Sequence, residues 1–385
     1  MSAQNYEIGR APRTLVGTRS LESLHREVEG LGGGCAVLIV DAAVTSGGYL
    51  DRVVDALGNL ASRVHVAPAG EPTLDSVDEA ARLVRSTRDP VVIGIGGGSA
   101  LDIAKQAAVV ACGDTGVEPY LLCAHPLPGR RPIVAIPTTS GTGAEVTRTC
   151  IVSDRAGRKT WTWGDEMLPD LVVLDPRAAV TMPHAVTVGT GLDAFVHALE
   201  ACSGSRRNSI ATAPAQRALR LVLDHLPRAA AVPDDLDARQ AMQEAAFLAG
   251  IAIDNCGTGI AHSIGHALGT LHHLPHGLSV AVGLLATLRW NIDGAPGAYA
   301  DAAAALDRSG DELPDCLARL SRATGLGAVA AAVPCDPIDA GALAATMAAP
   351  ENQPMLQNNA RHVDDEARMM LAASTVITWG SLTRG

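Results

Sequence analysis

Two short stretches of the sequence combine carboxylate and imidazole side chains at helical spacing. Asp193 and His197 are four residues apart in a segment without internal Gly or Pro. His262 and His266 repeat that spacing, and His276 follows a proline, where a turn could direct its ring toward the same place. Residues four apart on a helix share one face, so each helix could present two ligands. One carboxylate with two or three imidazoles suits Fe2+ or Zn2+ and supplies too little oxygen for Ca2+.

A purely structural role is the alternative for these residues. An Asp–His pair at helical spacing is often only a surface pair, and clustered histidines are often only polar surface. Apolar residues such as Phe195 and Leu199 flank the first pair, and Ile264 and Leu268 flank the second. Polar groups in such apolar helices need partners. Spacing alone leaves both interpretations open.

A second candidate site is the glycine run Gly96-Gly97-Gly98-Ser99, which joins a predicted strand to a predicted helix. Glycines let the backbone approach an anion, and the N–H groups and dipole of the helix can then hold a phosphate. The run departs from the G-x-G-x-x-G fingerprint at its last position and lacks the G-K-[ST] of a P-loop. It is therefore either a diphosphate site or a tight connection. The loop Pro137-Thr-Thr-Ser-Gly-Thr-Gly143 offers a second polar rim to the same predicted sheet.

The elements that must position these residues change character along the chain. The N-terminal part alternates short apolar runs with helical patterns, which predicts a mostly parallel α/β sheet. The predicted strands are 35–40, 63–66, 90–95, 131–136 and 171–174, with helices at 48–57, 74–86 and 100–111 and a hairpin at 148–152 and 158–163. After Pro183 only Ala-rich helical periods remain. The expected domains are an α/β nucleotide-binding domain, residues 1–180, and an all-α metal-binding domain, residues 181–385, with a cleft between them.

Composition narrows the class of protein further. The chain has 385 residues and a formal net charge of −11 without any basic block, which argues against a nucleic-acid or anionic-membrane partner. The polar start and the lack of a long apolar run predict a soluble, cytoplasmic protein with no membrane segment. The eight cysteines form no C-x-x-C pair and are expected to be small buried hydrophobes.

Several motifs together resemble the iron-containing, or group III, alcohol dehydrogenases, over roughly residues 30–330. The motifs are the glycine run with Asp102, the Pro137–Gly143 loop with Glu145, Gly191-Leu-Asp-Ala-Phe-Val-His197, Ala261-His-Ser-Ile-Gly-His266 and Pro275-His276-Gly277. The resemblance implies an N-terminal α/β domain that binds NAD(P) and a helical domain that binds one divalent metal.

The resemblance also implies roles for individual residues. The positions that match the metal ligands of the family are Asp193, His197, His262 and His276. His266 matches an additional histidine near the nicotinamide, and it is either a proton relay or a structural residue that orients a ligand.

The cofactor positions carry over in the same way. Gly97, Gly98 and Ser99 would hold the diphosphate, and Asp102 is a further cofactor-binding candidate in the same motif. Thr138, Thr139 and Lys159 would line the cofactor toward its nicotinamide end. Asp41 matches the position that contacts the adenosine ribose, where a carboxylate accepts from the 2′-OH of NAD and repels the 2′-phosphate of NADP. We therefore expect NAD(H) rather than NADP(H).

The implied function is metal-dependent interconversion of a small aldehyde or ketone and its alcohol, by a homodimer. One alternative is a reductase for an aldehyde that carries a carboxylate or phosphonate group. Arg148, Arg206 or Arg361 would then bind that anionic group. The others are a metal-free maleylacetate-type reductase, a dehydroquinate-synthase-like lyase and a non-catalytic nucleotide-binding protein. The stretch Asn359-Ala360-Arg361 departs from the Asn-Pro-Arg element of the family, which weakens substrate assignment by analogy.

Overall fold

The computed structural model describes residues 5–384, and its N-terminal part is built on a six-stranded parallel sheet. The strand order is β1-β8-β5-β4-β2-β3, and every pairing in the sheet is parallel. Strands β6 and β7 form a separate antiparallel hairpin. The eight strands are β1 Arg13–Val16, β2 Cys35–Asp41, β3 Ala61–Ala67, β4 Pro90–Gly96, β5 Ile133–Pro137, β6 Thr149–Ser153, β7 Lys159–Trp163 and β8 Leu171–Leu174.

Helices cover both faces of this sheet, as the continuous apolar strands require. Val37 and Ile39 of β2 pack on one side, in a core with α3 and α4, and Leu38 and Val40 pack on the other, with α1 and α2. The alternation follows from the two-residue period of a strand. The helices are α1 Leu24–Gly30, α2 Tyr49–Leu57, α3 Leu74–Arg85 and α4 Gly98–Val110. The predicted parallel α/β part is thus confirmed.

The C-terminal part is helical, as predicted, and has one large core. Its helices are α5 His184–Ser203, α6 Ser209–Ala231, α7 Leu236–Cys256, α8 Ile260–His272, α9 His276–Gly294, α10 Ala300–Ala305, α11 Leu313–Ala323, α12 Leu326–Ala331, α13 Ala340–Met347, α14 Gln353–Asn358 and α15 Asp365–Arg384. None of the helices within residues 5–384 combines the length and the apolar character needed to cross a bilayer.

The chain divides into two compact units that differ in detail from simple halves. Within residues 5–384, one unit contains residues 11–139 and 143–182, and the other contains residues 183–384 together with residues 5–10 and 140–142. The tripeptide Ser140–Thr142 therefore belongs to the helical unit although it lies in a loop after β5. Strand β1 and the short helices α1, α12 and α14 were not predicted, because each is too short to show a clear period.

Helix α5 is the centre of the helical unit. Nearly every residue from Thr187 to Ser203 is buried, and α6, α7 and α9 all pack against it. Its neighbours come close because glycines face them: a Cβ added to Gly277 would lie 2.3 Å from the carbonyl oxygen of Gly189. Likewise, a Cβ on Gly283 of α9 would lie 2.7 Å from the carbonyl oxygen of Ala261 in α8. The backbones of α5, α8 and α9 thus approach one another without intervening side chains.

We expect Gly283→Ala to destabilise the protein, because the added methyl group meets backbone atoms that cannot rotate away. Overpacking of this kind costs about 1–3 kcal/mol, and the helix propensity of Ala returns up to about 1 kcal/mol. Gly297→Ala is the matched control, since nothing lies within 4 Å of a Cβ there. Urea unfolding of both variants measures the difference. Equal stability of the two would show that α8 and α9 do not depend on this close contact.

Candidate metal and cofactor sites

The structure brings Asp193, His197, His262 and His276 together in the helical unit. One ligand atom from each lies within 4.8 Å of the others. Asp193 Oδ1 is 3.7 Å from Nε2 of His197, 3.6 Å from Nε2 of His262 and 3.8 Å from Nε2 of His276. Tetrahedral ligands at zinc-type bond lengths are about 3.4 Å apart, so only small adjustments are needed to close this set around one ion.

Three helices carry the four residues. Asp193 and His197 lie one turn apart on α5, and His262 lies near the start of α8. His276 is the first residue of α9, with Pro275 as its N-cap, so a helix start directs this ring where the sequence predicted a turn. The rings of His197 and His262 stack with centroids 4.4 Å apart. The convergence is a property of tertiary packing rather than of local spacing alone.

The residues of this cluster suit a bound cation. Both carboxylate oxygens of Asp193 and Nε2 of His262 are buried, and none of these atoms has a hydrogen-bond partner among residues 5–384. A buried ionised carboxylate without hydrogen bonds costs several kcal/mol unless a cation compensates it. One oxygen and three imidazole nitrogens form a donor set typical of Zn2+ or Fe2+.

The electrostatics of the cluster follow from burial and from the two acids nearby. Burial, opposed in part by the charge of Asp193, lowers the pKa of His197 to about 4, which keeps that imidazole neutral. Burial also opposes protonation of His262, but Glu200 and Asp193 outweigh it and raise the pKa of this imidazole to about 9. Burial disfavours the charged form of Asp193, yet the surrounding imidazoles lower its pKa below the usual range. A metal ion and a proton therefore compete for Nε2 of His262.

The structure adds one residue that the sequence analysis did not identify. Glu200 lies on α5, three residues after His197, and its Oε2 is 2.5 Å from Nδ1 of His262. A usable signal existed in the sequence, because positions 193, 197 and 200 share one face of a helix. His266 lies one turn after His262 on α8, and its ring centroid is 5.6 Å from that of His276.

The predicted cofactor residues form a second group in the α/β unit, at the carboxyl end of the sheet. Gly97 is the N-cap of α4 and brings no side chain to cap it. A Cβ on Gly97 would lie 3.3 Å from Thr139 and 3.9 Å from the carboxylate of Asp41, and the Thr138 N–H donates to Gly96. Gly98 and Ser99 open the helix itself. A diphosphate could therefore approach the backbone N–H groups at the start of α4 closely.

Asp102 and Lys159 lie in the same unit but contact protein groups. Asp102 accepts a hydrogen bond of 2.9 Å from the Ile151 N–H, and burial raises the pKa of its carboxyl to about 6. Lys159 is buried and forms an ion pair of 2.7 Å with Glu71. A cofactor-binding role for Asp102 and Lys159 stays a prediction.

The arginines considered as anion partners are also engaged or exposed. Arg361 donates to the carbonyl of Trp290 at 2.9 Å and its guanidinium lies 4.0 Å above the Trp290 ring. Arg148 pairs with Asp165 and stacks on Trp163, and Arg206 is exposed.

Comparison with known proteins places these two sites in context. The sequence model of the family described as iron-containing alcohol dehydrogenase matches residues 11–176. The model of the Fe-containing alcohol dehydrogenase family, C-terminal, matches residues 187–326. Both candidate sites lie inside the matched segments.

Individual relatives agree with the family match. The chain is 38% identical over 258 residues to a 1-propanol dehydrogenase of Citrobacter freundii, an alignment that covers 66% of each chain. It is 32% identical over 311 residues to a sulfoacetaldehyde reductase of Bilophila wadsworthia, with 80% of each chain covered. A crystal structure of 1,3-propanediol oxidoreductase is similar over 97% of this chain and 100% of its own, with a TM-score of 0.86 and 26% identity.

Glu145, in the loop after β5, should make the free energy of unfolding depend on pH. Burial raises the pKa of its carboxyl from 4.5 to about 7. The folded chain then keeps a proton that the unfolded chain releases above pH 4.5, so stability falls as the pH rises from about 4.5 to 7. We expect Glu145→Gln to gain about 1–3 kcal/mol relative to wild type between pH 5 and pH 8. Urea unfolding across this range measures it, with the exposed Glu79→Gln as the control. Parallel pH profiles of wild type and Glu145→Gln would contradict the prediction.

Proposed function

Because the chain belongs to the iron-containing alcohol dehydrogenase family, we propose that it is a metal-dependent NAD(H) oxidoreductase. It interconverts a small aldehyde or ketone and the corresponding alcohol by hydride transfer. The observation that carries this proposal is the buried carboxylate of Asp193, which has imidazole Nε2 atoms on three sides and no hydrogen bond within residues 5–384. We assign the residues up to 180 to cofactor binding and residues 181–385 to metal binding and catalysis.

The four residues of the cluster would hold one divalent ion, Fe2+ or Zn2+, which when bound supplies Lewis-acid polarisation of the substrate carbonyl. His197 and His262 contribute neutral nitrogen and Asp193 contributes the compensating negative charge. Asp193, His197 and His262 are buried, which strengthens the charge interactions among them. His266, beside His276, is our candidate for moving the proton of the alcohol, since imidazole titrates near neutral pH.

The proposed cofactor site is the edge formed by Gly97, Gly98 and Ser99 with Thr138 and Thr139. Asp41 ends β2 beside this edge and already accepts one hydrogen bond, from the Ala43 N–H, through Oδ1. Oδ2 can accept from the 2′-OH of the adenosine ribose and would repel a 2′-phosphate. This carboxylate supports NAD(H) over NADP(H).

The substrate we propose is a small neutral aldehyde or its alcohol. The similarity to a 1-propanol dehydrogenase supports this class, although the alignment spans just under two thirds of that relative. A second candidate is an anionic aldehyde, which the more extensive similarity to a sulfoacetaldehyde reductase favours. The engaged guanidinium groups of Arg148 and Arg361 make it the weaker of the two.

We further propose a homodimer that acts in the cytoplasm. All eight cysteines are unpaired, which suits a reducing compartment. The dimer rests on the family resemblance, and the mass in solution, measured by light scattering, decides it.

Metal analysis and turnover test the proposed function together. The chain is purified without oxygen, its Fe and Zn are measured, and NADH and NADPH oxidation is screened with neutral and anionic short aldehydes. We expect about one equivalent of metal and turnover with NADH. His262→Ala should lose the metal and lower turnover by more than ~100-fold, because even residues that only support ligands cost 10–100-fold. His272→Ala, on the same helix outside the cluster, is the matched control.

Other outcomes would identify the competing functions. Turnover that survives full loss of metal in His262→Ala indicates a metal-free maleylacetate-type reductase. Bound metal without any NADH oxidation indicates a dehydroquinate-synthase-like lyase or a nucleotide-binding protein without catalysis. A preference for anionic aldehydes would replace the neutral substrate by the second candidate.

Asp41→Ser tests the choice of cofactor. Serine keeps the hydrogen bond to the Ala43 N–H but removes the charge that repels a 2′-phosphate. We expect the ratio of kcat/KM for NADPH over NADH to rise by about 10–100-fold. Asp55→Ser, an exposed residue of α2, controls for the change in net charge. A ratio that stays the same in both variants would remove Asp41 from the cofactor site.

A further inference from the structure

Glu200 is a buried acid inside the helical unit that is not one of the four residues of the metal cluster. Its two oxygens accept from three donors on or near the start of α8. Oε2 accepts from the Gly259 N–H at 2.8 Å and lies 2.5 Å from Nδ1 of His262. Oε1 accepts from the Ala261 N–H at 2.8 Å. A single carboxylate thus contacts the helix terminus and a cluster histidine at the same time.

The contact with His262 determines which nitrogen of that ring can bind a metal. An acceptor at this distance places a proton on Nδ1, so Nε2, which faces Asp193, is the nitrogen left to bind an ion. His197 has a much looser partner, because its Nδ1 lies 3.3 Å from the Gly141 carbonyl. Of these two Nδ1 contacts, that of His262 is the shorter, and it is the one assisted by a carboxylate charge.

The start of α8 is shaped to receive this carboxylate. The N-cap of the helix is Gly259, which has no side chain to cap the free N–H groups. A Cβ at this position would lie 3.0 Å from Oε1 of Glu200, so a larger residue would press on the acid. The Ile260 N–H, which lies between the two N–H groups that Glu200 caps, donates instead to Oδ1 of Asn359 at 3.3 Å. The negative charge of the Glu200 carboxylate also interacts favourably with the positive end of the α8 dipole.

We propose that Glu200 is a positioning residue for the metal site: it holds His262 with Nδ1 protonated and Nε2 directed at the ion. The inference rests on the proposed function, since it concerns the same metal site. It differs from a purely structural capping role, in which Glu200 would stabilise α8 without changing how tightly the metal is bound.

Glu200→Gln separates these two roles. Glutamine keeps the size of the side chain, but its amide offers one acceptor oxygen where the carboxylate offers two. With its oxygen in the Oε1 position, glutamine caps Ala261 and turns its NH2 group toward Gly259 and Nδ1 of His262. With its oxygen in the Oε2 position, it keeps an acceptor for Nδ1 but loses the negative charge and the cap of Ala261. Either orientation removes the charge-assisted contact that holds the ring. We expect the dissociation constant for Zn2+, measured by competition with a chromophoric chelator, to rise by about 10–100-fold. The absorption bands of the Co2+-loaded protein should change with it.

Asn359→Ala is the matched control, because it removes an acceptor from the same helix start without contacting His262. We expect it to lower the unfolding temperature and to leave Zn2+ affinity within about threefold of wild type and the Co2+ bands unchanged. If Glu200→Gln behaves like this control, the positioning role is overturned and Glu200 is a cap only.

A double-mutant comparison shows whether the effect passes through His262. His262→Ala should lose its metal on purification, and its weak affinity for Zn2+ is therefore measured by titration with excess ion. In this background, Glu200→Gln should change that residual affinity by less than about threefold. A loss of Zn2+ affinity as large as in the wild-type background would overturn the proposal, because the substitution would then act through the fold rather than through His262. If Glu200→Gln does not fold, ring 15N spectra of the Zn2+-loaded wild type decide: we expect a proton on Nδ1 of His262, and a proton on Nε2 overturns the proposal.

The same measurements distinguish failure of this inference from failure of the proposed function. A wild-type chain that takes up no Zn2+, Fe2+ or Co2+ overturns both. A wild-type chain that binds metal, loses it in His262→Ala and keeps it unchanged in Glu200→Gln overturns the positioning role alone.

Discussion

The buried charge of Asp193 is the constraint on which the helical unit depends. Its carboxylate lies on a helix that is almost entirely inside the core, and neither oxygen has a hydrogen bond within the described residues. Such a group destabilises the fold by several kcal/mol unless positive charge is supplied. The Nε2 atoms of three imidazoles face the same oxygen, and under the proposed function one divalent ion among them would supply this charge. Metal binding would then be coupled to the close packing of α5, α8 and α9.

The geometry around that charge is set by backbone proximity more than by large side chains. Only 3% of the residues are aromatic, and helices meet at glycine and alanine positions. The contacts of Gly277 with Gly189 and of Gly283 with Ala261 bring α9 against α5 and α8. His276 begins α9, so the position of this helix determines where its ring lies. Close packing also leaves little freedom for the rings to turn, and for this reason the protonation pattern of each ring depends on its immediate neighbour.

The sequence predicted the strands that are continuous apolar runs and the pairs of residues that one helix presents. Strand 171–174, the 90–95 strand and the Asp193–His197 pair are of this kind. It did not reveal the contact of Glu200 with His262, because 62 residues separate the partners. Strand β1 was missed because the polar residues Arg13 and Thr14 make up half of it, whereas the equally short strand β8 is apolar throughout. The assignment of Ser140–Thr142 to the helical unit likewise depends on tertiary contacts.

The cofactor side shows why a motif cannot be converted directly into a list of ligand contacts. Lys105, buried on α4, donates hydrogen bonds to three carbonyl oxygens, those of Ala144, Thr147 and Thr149. Asp102, also on α4, accepts from the Ile151 N–H of β6. These buried charges fix the segment after the Pro137–Gly143 loop relative to the helix that begins at the glycine run. A residue can thus belong to a binding motif because it holds the loop in place. The hydrogen-bond partners of each side chain distinguish such a residue from one that is available to a ligand, and spacing in the sequence does not.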